Sequence, residues 1–310
     1  MFEGIRSGWD LVKGSVRVFN RHPKFLVPLL FTWSIYAPTI LYLKYWFDWD
    51  AHTGAQIFWI IFGVILLFAF LLSFSCLMLL ELIQQLETGQ QMSFQKSFLD
   101  TLARNILKAI PLVLIWAVIW FMLTIIQCLL SKKKRGERES YSAENAARTL
   151  AGYKNFSLSR AFFQALEKGV RMTMFLILPG IAWGDLGFWK ATKKGIAVFK
   201  AHLSEFVTGF VLTEAAAVLI FLPPAILFLL SEKFDVTFPD SVWYAAITYI
   251  AFAWSYSIYL EQMFTAELYL WNMKWEREVA KAQQEGRAIP SLRSVQRPSV
   301  LDEVADLLEK

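Results

Sequence analysis

Residues 56–80 read QIFWIIFGVILLFAFLLSFSCLMLL, 25 consecutive positions without a charged side chain. Wound as an α-helix at 1.5 Å per residue, such a run is about 37 Å long, more than the ~30 Å hydrocarbon core of a bilayer. Lipid offers the backbone no hydrogen bonds, so a lone spanning segment must satisfy its own amides as a helix. A buried helix in a soluble core has no need of this length. Outward from it lie five further apolar segments: Phe25 to Phe47, Ile106 to Leu130, Leu158 to Trp183, Phe206 to Leu230 and Val242 to Trp271. The fourth in chain order is the weakest, with Glu167, Lys168 and Arg171 in its first half and Pro179-Gly180 in its second. The expected fold is all-α: a polytopic transmembrane bundle of about six spans over residues 1–275, then a tail over 276–310.

Composition agrees. The chain is 56% hydrophobic and 18% charged, against about 45–50% and 25% in soluble domains. Aromatic residues reach 16%, with 13 Trp, a density that suits interfacial belts. The net charge of +5 reads as Lys and Arg in cytoplasmic loops, and no nucleic-acid partner is expected. Cys76 and Cys128 both lie inside apolar runs and form neither a disulfide framework nor a metal pattern. The first 24 residues hold no apolar core of a signal peptide, so the first span is expected to act as its own insertion signal.

Three amphipathic stretches punctuate the spans. Ile5, Trp9, Val12, Val16 and Phe19 fall on one helical face, with Arg6, Asp10, Lys13 and Arg17 on the other. Phe94, Phe98, Leu99, Leu102 and Ile106 share a side opposite Lys96, Asp100 and Arg104. Trp189, Ile196, Phe199 and Leu203 face away from Lys190, Lys193, Lys194 and Lys200. All three read as interfacial helices that contact membrane lipid, with Trp9, Lys13, Arg17, Trp189, Lys193 and Lys194 as contact residues; packing on protein is the alternative. The stretch from Gly8-Trp9 to Val18-Phe19 aligns with that from Phe188-Trp189 to Val198-Phe199, and the stretch from Phe94 lies midway. The expectation is a threefold parallel repeat with a period of about 90 residues, each unit an interfacial helix followed by a transmembrane hairpin.

Basic charge in the amino-terminal helix, in Lys190 to Lys200 and after Trp275 places both termini in the cytoplasm of what reads as a cell membrane. The loops Asp48 to Gly54 and Glu232 to Asp240 then fall outside. Lys132-Lys133-Lys134-Arg135 breaks the pattern: basic by charge, external by parity, unless the third and fourth segments are re-entrant. In the tail, Ala288 to Pro298 reads as a flexible linker. After it, Ser299 caps a short helix with Asp302 and Glu303 in its first turn and Leu301, Val304 and Leu308 on its apolar face. That helix is a frayed end or a docking peptide for a protein partner.

SGWDLVKGSVRVFNRHPKFLVPLLF near the start, LIQQLETGQQMSFQKSF, GDLGFWKATKKGIAVFKAHLSEFVTGF and QMFTAELYLWNM together resemble a domain-of-unknown-function family of multi-spanning bacterial integral membrane proteins. The resemblance covers about residues 1–275, and departs in the charged loop after Leu130 and in Lys168 and Arg171. It implies topology and a bacterial cytoplasmic membrane, and no chemistry.

No phosphate-cradling loop, zinc-binding helix pattern or nucleophile elbow occurs, so no catalytic residue, metal or cofactor is expected. His22, His52 and His202 stand alone near expected interfaces, where a His usually meets solvent or headgroups. Lys44 near the outer end of the first span is expected to snorkel, and Glu81 and Glu267 lie near cytoplasmic ends. Ionisable residues inside spans cost roughly 2.5–3.5 kcal/mol each at the bilayer centre on insertion scales. Glu214 and Glu261 therefore need partners, and Lys168 or Arg171 supplies them; the four form a candidate intramembrane polar site. Ser73, Ser75, Gly63, Ala69 and Ala215 to Ala217 are candidate close-approach positions. The functional expectation is a non-enzymatic, lipid-gripping scaffold or accessory subunit. The alternative is a transporter or channel with a polar site between spans four, five and six.

Overall fold

A computed structural model describes residues 2–130, 140–152, 158–297 and 305–308. Among them all regular structure is helical. In chain order the helices are α1 (Phe2–Arg21), α2 (Val27–Tyr45), α3 (Gly54–Glu87), α4 (Phe94–Asp100), α5 (Ile106–Leu130), α6 (Ala143–Leu150), α7 (Leu158–Ala182), α8 (Phe188–Ala201), α9 (Leu203–Lys233), α10 (Asp240–Gln284) and α11 (Ala305–Leu308). Four stretches are long and apolar enough to cross a membrane: Pro23–Tyr45, Gly54–Glu87, Phe94–Leu130 and Leu203–Lys233. The molecule is an α-helical membrane protein.

Local chemistry sets the boundaries. Pro23 lacks an amide hydrogen and pushes His22 out of the helical region (φ −134°, ψ 66°), which ends α1. Thr53 and Gln56 form a reciprocal capping box that starts α3. Ser93 caps α4 by accepting from the Lys96 amide, and a π-helical turn over Thr101–Asn105 carries α4 into α5 without a break. Ser142 caps α6 in the same way as Ser93.

At one end of the molecule the carboxyl-terminal parts of α3 and α7 and the middle of α10 are buried on every face, over 72–83, 174–183 and 258–272. Helices α1, α4 and α8 form a collar around them: α1 packs on α9 and α10, α4 on α3, and α8 on α7 and α10. The collar is held by close approach and by polar bonds. Gly195 lies against Ile177 and Gly180 against Ala191, which lets α8 settle onto α7. Asn105 donates to Glu81 at 2.6 Å and Gln85 to Ser97 at 3.1 Å. At the opposite end α6 lies against α2 and α10. There Lys44 donates to Thr149 at 2.8 Å, and Arg148 bridges Glu144 and Glu232.

The amphipathic faces are rotated from the sequence expectation. In α1 the buried stripe is Leu11, Val12, Ser15 and Val18. Trp9 stands outward in line with Arg6, Lys13 and Arg17, and the side chain of Ile5 is outside the described set. In α8 the inward face is Ala191, Gly195 and Val198, and Trp189 and Ile196 stand outward with Lys193 and Lys200. Along α4 and the π-helical turn, Ser97, Thr101, Asn105 and Ile106 face in, and Phe98, Leu99 and Leu102 face out with Lys96 and Arg104. The spacing of apolar residues locates a stripe on a helix but not what that stripe faces.

The tail folds back where a flexible linker was expected. Trp275 Nε1 donates to the Pro290 carbonyl at 3.0 Å, Trp271 Nε1 to Val295 at 3.2 Å, and Gln84 Nε2 to Leu308 at 2.9 Å. Arg297 bonds Asp10 of α1 at 3.2 Å, and Leu307 and Leu308 are buried. The basic run Lys132 to Arg135 and the cap and face at Ser299, Leu301, Asp302, Glu303 and Val304 lie outside the described residues.

Candidate functional site

Helix α7 carries Glu167, Lys168 and Arg171 within five residues, so about one turn presents all three toward the bundle. Lys168 Nζ is 2.7 Å from Glu214 of α9 and 3.7 Å from Glu261 of α10. Glu261 accepts from Arg171 Nε at 2.7 Å and from its Nη2 at 2.9 Å. Such a two-point guanidinium–carboxylate contact is the strong form of the ion pair. The structure thus brings together Lys168, Arg171, Glu214 and Glu261. Their burial is unequal: the side chains of Lys168 and Glu261 are 4% exposed, Arg171 25% and Glu214 57%. Lys168 also sits over the Phe210 ring, 5.1 Å from its centroid.

Beside this cluster is a cavity of about 220 Å³. Trp33 and Tyr36 of α2, Phe68 of α3, Trp116 and Trp120 of α5 and Trp254 of α10 supply its aromatic walls. Glu167 and Arg171 supply its charge, and Leu150 of α6 closes it toward the α6 end. Gln127 of α5 donates to Glu167 at 2.9 Å. Glu214, Glu261 and Lys168 do not line the cavity; they stand behind Arg171. Sequence reasoning placed Glu167 in the fourth segment but not in the site. Its signal was the four-residue spacing to Arg171. The aromatic wall had none, because its members come from α2, α3, α5 and α10.

The surface candidates divide. Trp9 is 56% exposed and Trp189 74%, and Lys13, Arg17 and Lys193 are exposed beside them. Lys194 bridges Glu276 at 2.9 Å and ties α8 to α10. Of the histidines, His22 lies 5.8 Å from the Phe25 ring and His52 bonds the Asp48 carbonyl. His202, expected at a wet interface, is fully buried between α8 and α9 against Trp271, with no hydrogen-bond partner on either ring nitrogen among the described residues. Burial pushes its pKa from 6.5 down to about 4, against the weaker upward pull of Glu205. Ser75 holds α2 to α3 by donating to the Pro28 carbonyl at 2.9 Å, whereas Gly63 has no neighbour close enough to need a glycine.

Fold and site define a class: an all-α membrane protein with charged residues paired inside its helical bundle. Comparison of the chain with protein-family models, with curated proteins and with solved structures finds no match.

Proposed function

We propose that the protein is a non-enzymatic, six-span scaffold that grips anionic lipid at one membrane face, as a member of a bacterial family of multi-spanning membrane proteins. The observation that carries this reading is the pair of outward stripes on α1 and α8, each with an exposed Trp in register with basic side chains. A Trp ring settles at headgroup depth and each nearby Lys or Arg contributes about 1 kcal/mol at an anionic surface. In this reading α7 and α10 cross the membrane as well, and the chain is three repeats of a collar helix followed by a hairpin. In support, the second span of each repeat meets the collar helix of the next: α3 meets α4, α7 meets α8, and α10 meets α1. The collar end, with both termini, is cytoplasmic, and the tail is an internal strap that a protein partner displaces.

The test is thermal unfolding of the purified protein in neutral detergent, titrated with phosphatidylglycerol or phosphatidylcholine. Phosphatidylglycerol is expected to raise the midpoint in wild type, and Lys13→Glu, Arg17→Glu and Lys193→Glu together are expected to abolish most of that rise. An equal response to both lipids sinks the proposal. A second reading, a transporter or channel, is favoured by the placement of Arg171 between the ion cluster and the cavity.

A further inference from the structure

We infer that the cavity between α2, α3, α5, α7 and α10 is a binding site for a small lipophilic cation, an aromatic or branched quaternary ammonium compound of about nine to eleven non-hydrogen atoms. The inference goes beyond lipid gripping and does not depend on it.

Charge comes first. The cluster holds two cations, Lys168 and Arg171, and three carboxylates, Glu167, Glu214 and Glu261, so two positive and three negative charges leave −1 when all are ionised. Arg171 is matched by the bidentate contact to Glu261, and Lys168 by Glu214 at 2.7 Å. Glu167 is the carboxylate left over. Among the described residues its hydrogen-bond donor is the neutral Gln127 amide, and Arg171, one turn on, attracts it across space but makes its hydrogen bonds to Glu261. Glu167 faces the cavity. A cation there completes the balance, whereas an anion makes it worse.

The walls agree. An aromatic ring presents a negative face, and cages of Trp and Tyr are the usual answer to a quaternary ammonium group. Trp33, Tyr36, Trp116, Trp120 and Trp254 surround this space. A hydrated alkali cation would gain little here, because the walls offer few oxygen ligands to replace its water. A weakly hydrated organic cation loses little water on entering. Size completes the case: a cavity of about 150 Å³ accommodates the six carbons of benzene, so about 220 Å³ takes roughly nine heavy atoms, and its open side leaves room for one or two more. Glu167, Trp120 and Trp254 are half-buried, and the space is not sealed at that side.

The experiment is calorimetric titration of the full-length protein in detergent with benzyltrimethylammonium, with its neutral isostere neopentylbenzene and with benzenesulfonate. Wild type is expected to bind the cation roughly tenfold or more tightly than the isostere, with no saturable binding of the anion. Glu167→Gln is expected to erase that preference while binding of the isostere is retained. Val170→Trp, which fills the cavity and leaves every charge in place, is expected to abolish binding of both. A cation-to-isostere ratio near one in wild type overturns the inference, as does preference for the sulfonate. Cation binding that survives Val170→Trp overturns the location. If Glu167→Gln does not fold, the wild-type ratio and the Val170→Trp result decide. None of these outcomes depends on phosphatidylglycerol, so failure here and failure of the lipid-gripping reading are separate results.

Discussion

The two acidic partners on α9 and α10 differ in burial and in what the loss of each leaves behind. Glu261 is enclosed and holds Arg171 at two points. Glu261→Gln strands the half-buried Arg171 guanidinium and removes the second carboxylate near the buried Lys168 ammonium, and breaking a buried pair from one side typically costs about 3–5 kcal/mol. Thermal unfolding in detergent is expected to show that loss. Glu214 lies within a membrane-spanning helix, so its open face meets lipid or detergent and water does not screen its contact with Lys168; Glu214→Gln is still expected to cost less than Glu261→Gln in the same assay, because Lys168 keeps Glu261 at 3.7 Å. A Glu214→Gln effect as large as that of Glu261→Gln would show that this ordering is wrong.

His202 makes a pH prediction at the same scale. Its pKa is 6.5 in the unfolded chain and about 4 in the fold. Between those values the unfolded chain holds more protons, so stability rises with pH across that window. The contribution of His202 is complete above pH 6.5 and is lost as pH falls toward 4, by about 3 kcal/mol. His202→Phe keeps the ring against Trp271 and is expected to flatten the unfolding midpoint between pH 6.5 and 4. A slope that persists in that variant would assign the dependence to carboxylates.

At the scale of elements, the crossings depend on missing side chains. A Cβ on Gly209 of α9 would collide with the ring of Phe264 on α10, which is fully buried and has nowhere to go. Gly209→Ala is expected to destabilise by about 1–3 kcal/mol or to push α9 off α10, read as a lower unfolding midpoint. The strap formed by the tail gives a further test. Truncation after Gly286 removes the carbonyls of Pro290 and Val295 that accept from the indoles of Trp275 and Trp271, and exposes both rings. A red shift in tryptophan emission is expected; an unchanged spectrum would mean that the strap does not cover those rings in the membrane-bound protein.

For the whole molecule, the position of α6 bears on a conflict in the sequence. Basic charge after Leu130 argued for the cytoplasmic side, and span parity argued against it. The structure puts Tyr141 against Tyr45 and Trp46 and links Arg148 to Glu232, so residues 140–152 share an end with the loops after α2 and α9. Single cysteines at Ser140 and Asp50, in a background with Cys76 and Cys128 replaced, are expected to label together from outside intact cells, with a cysteine in the tail protected. Labelling of Asp50 without Ser140 would overturn the arrangement.

The sequence by itself determined that this chain is helical and membrane-borne, because uninterrupted apolar length and backbone hydrogen bonding in lipid leave a single solution for each span. It also pointed to Lys168 or Arg171 as a partner for Glu214 or Glu261, because an unpaired charge inside a bilayer is expensive wherever the helices stand. Only the tertiary structure decided which face of α1, α4 and α8 looks outward, since the period of a stripe carries no information about what lies beside it. Only the tertiary structure put six aromatic rings from four helices around Glu167 and folded the tail under Trp271 and Trp275. Those contacts join residues far apart in the chain, and local propensity is blind to them.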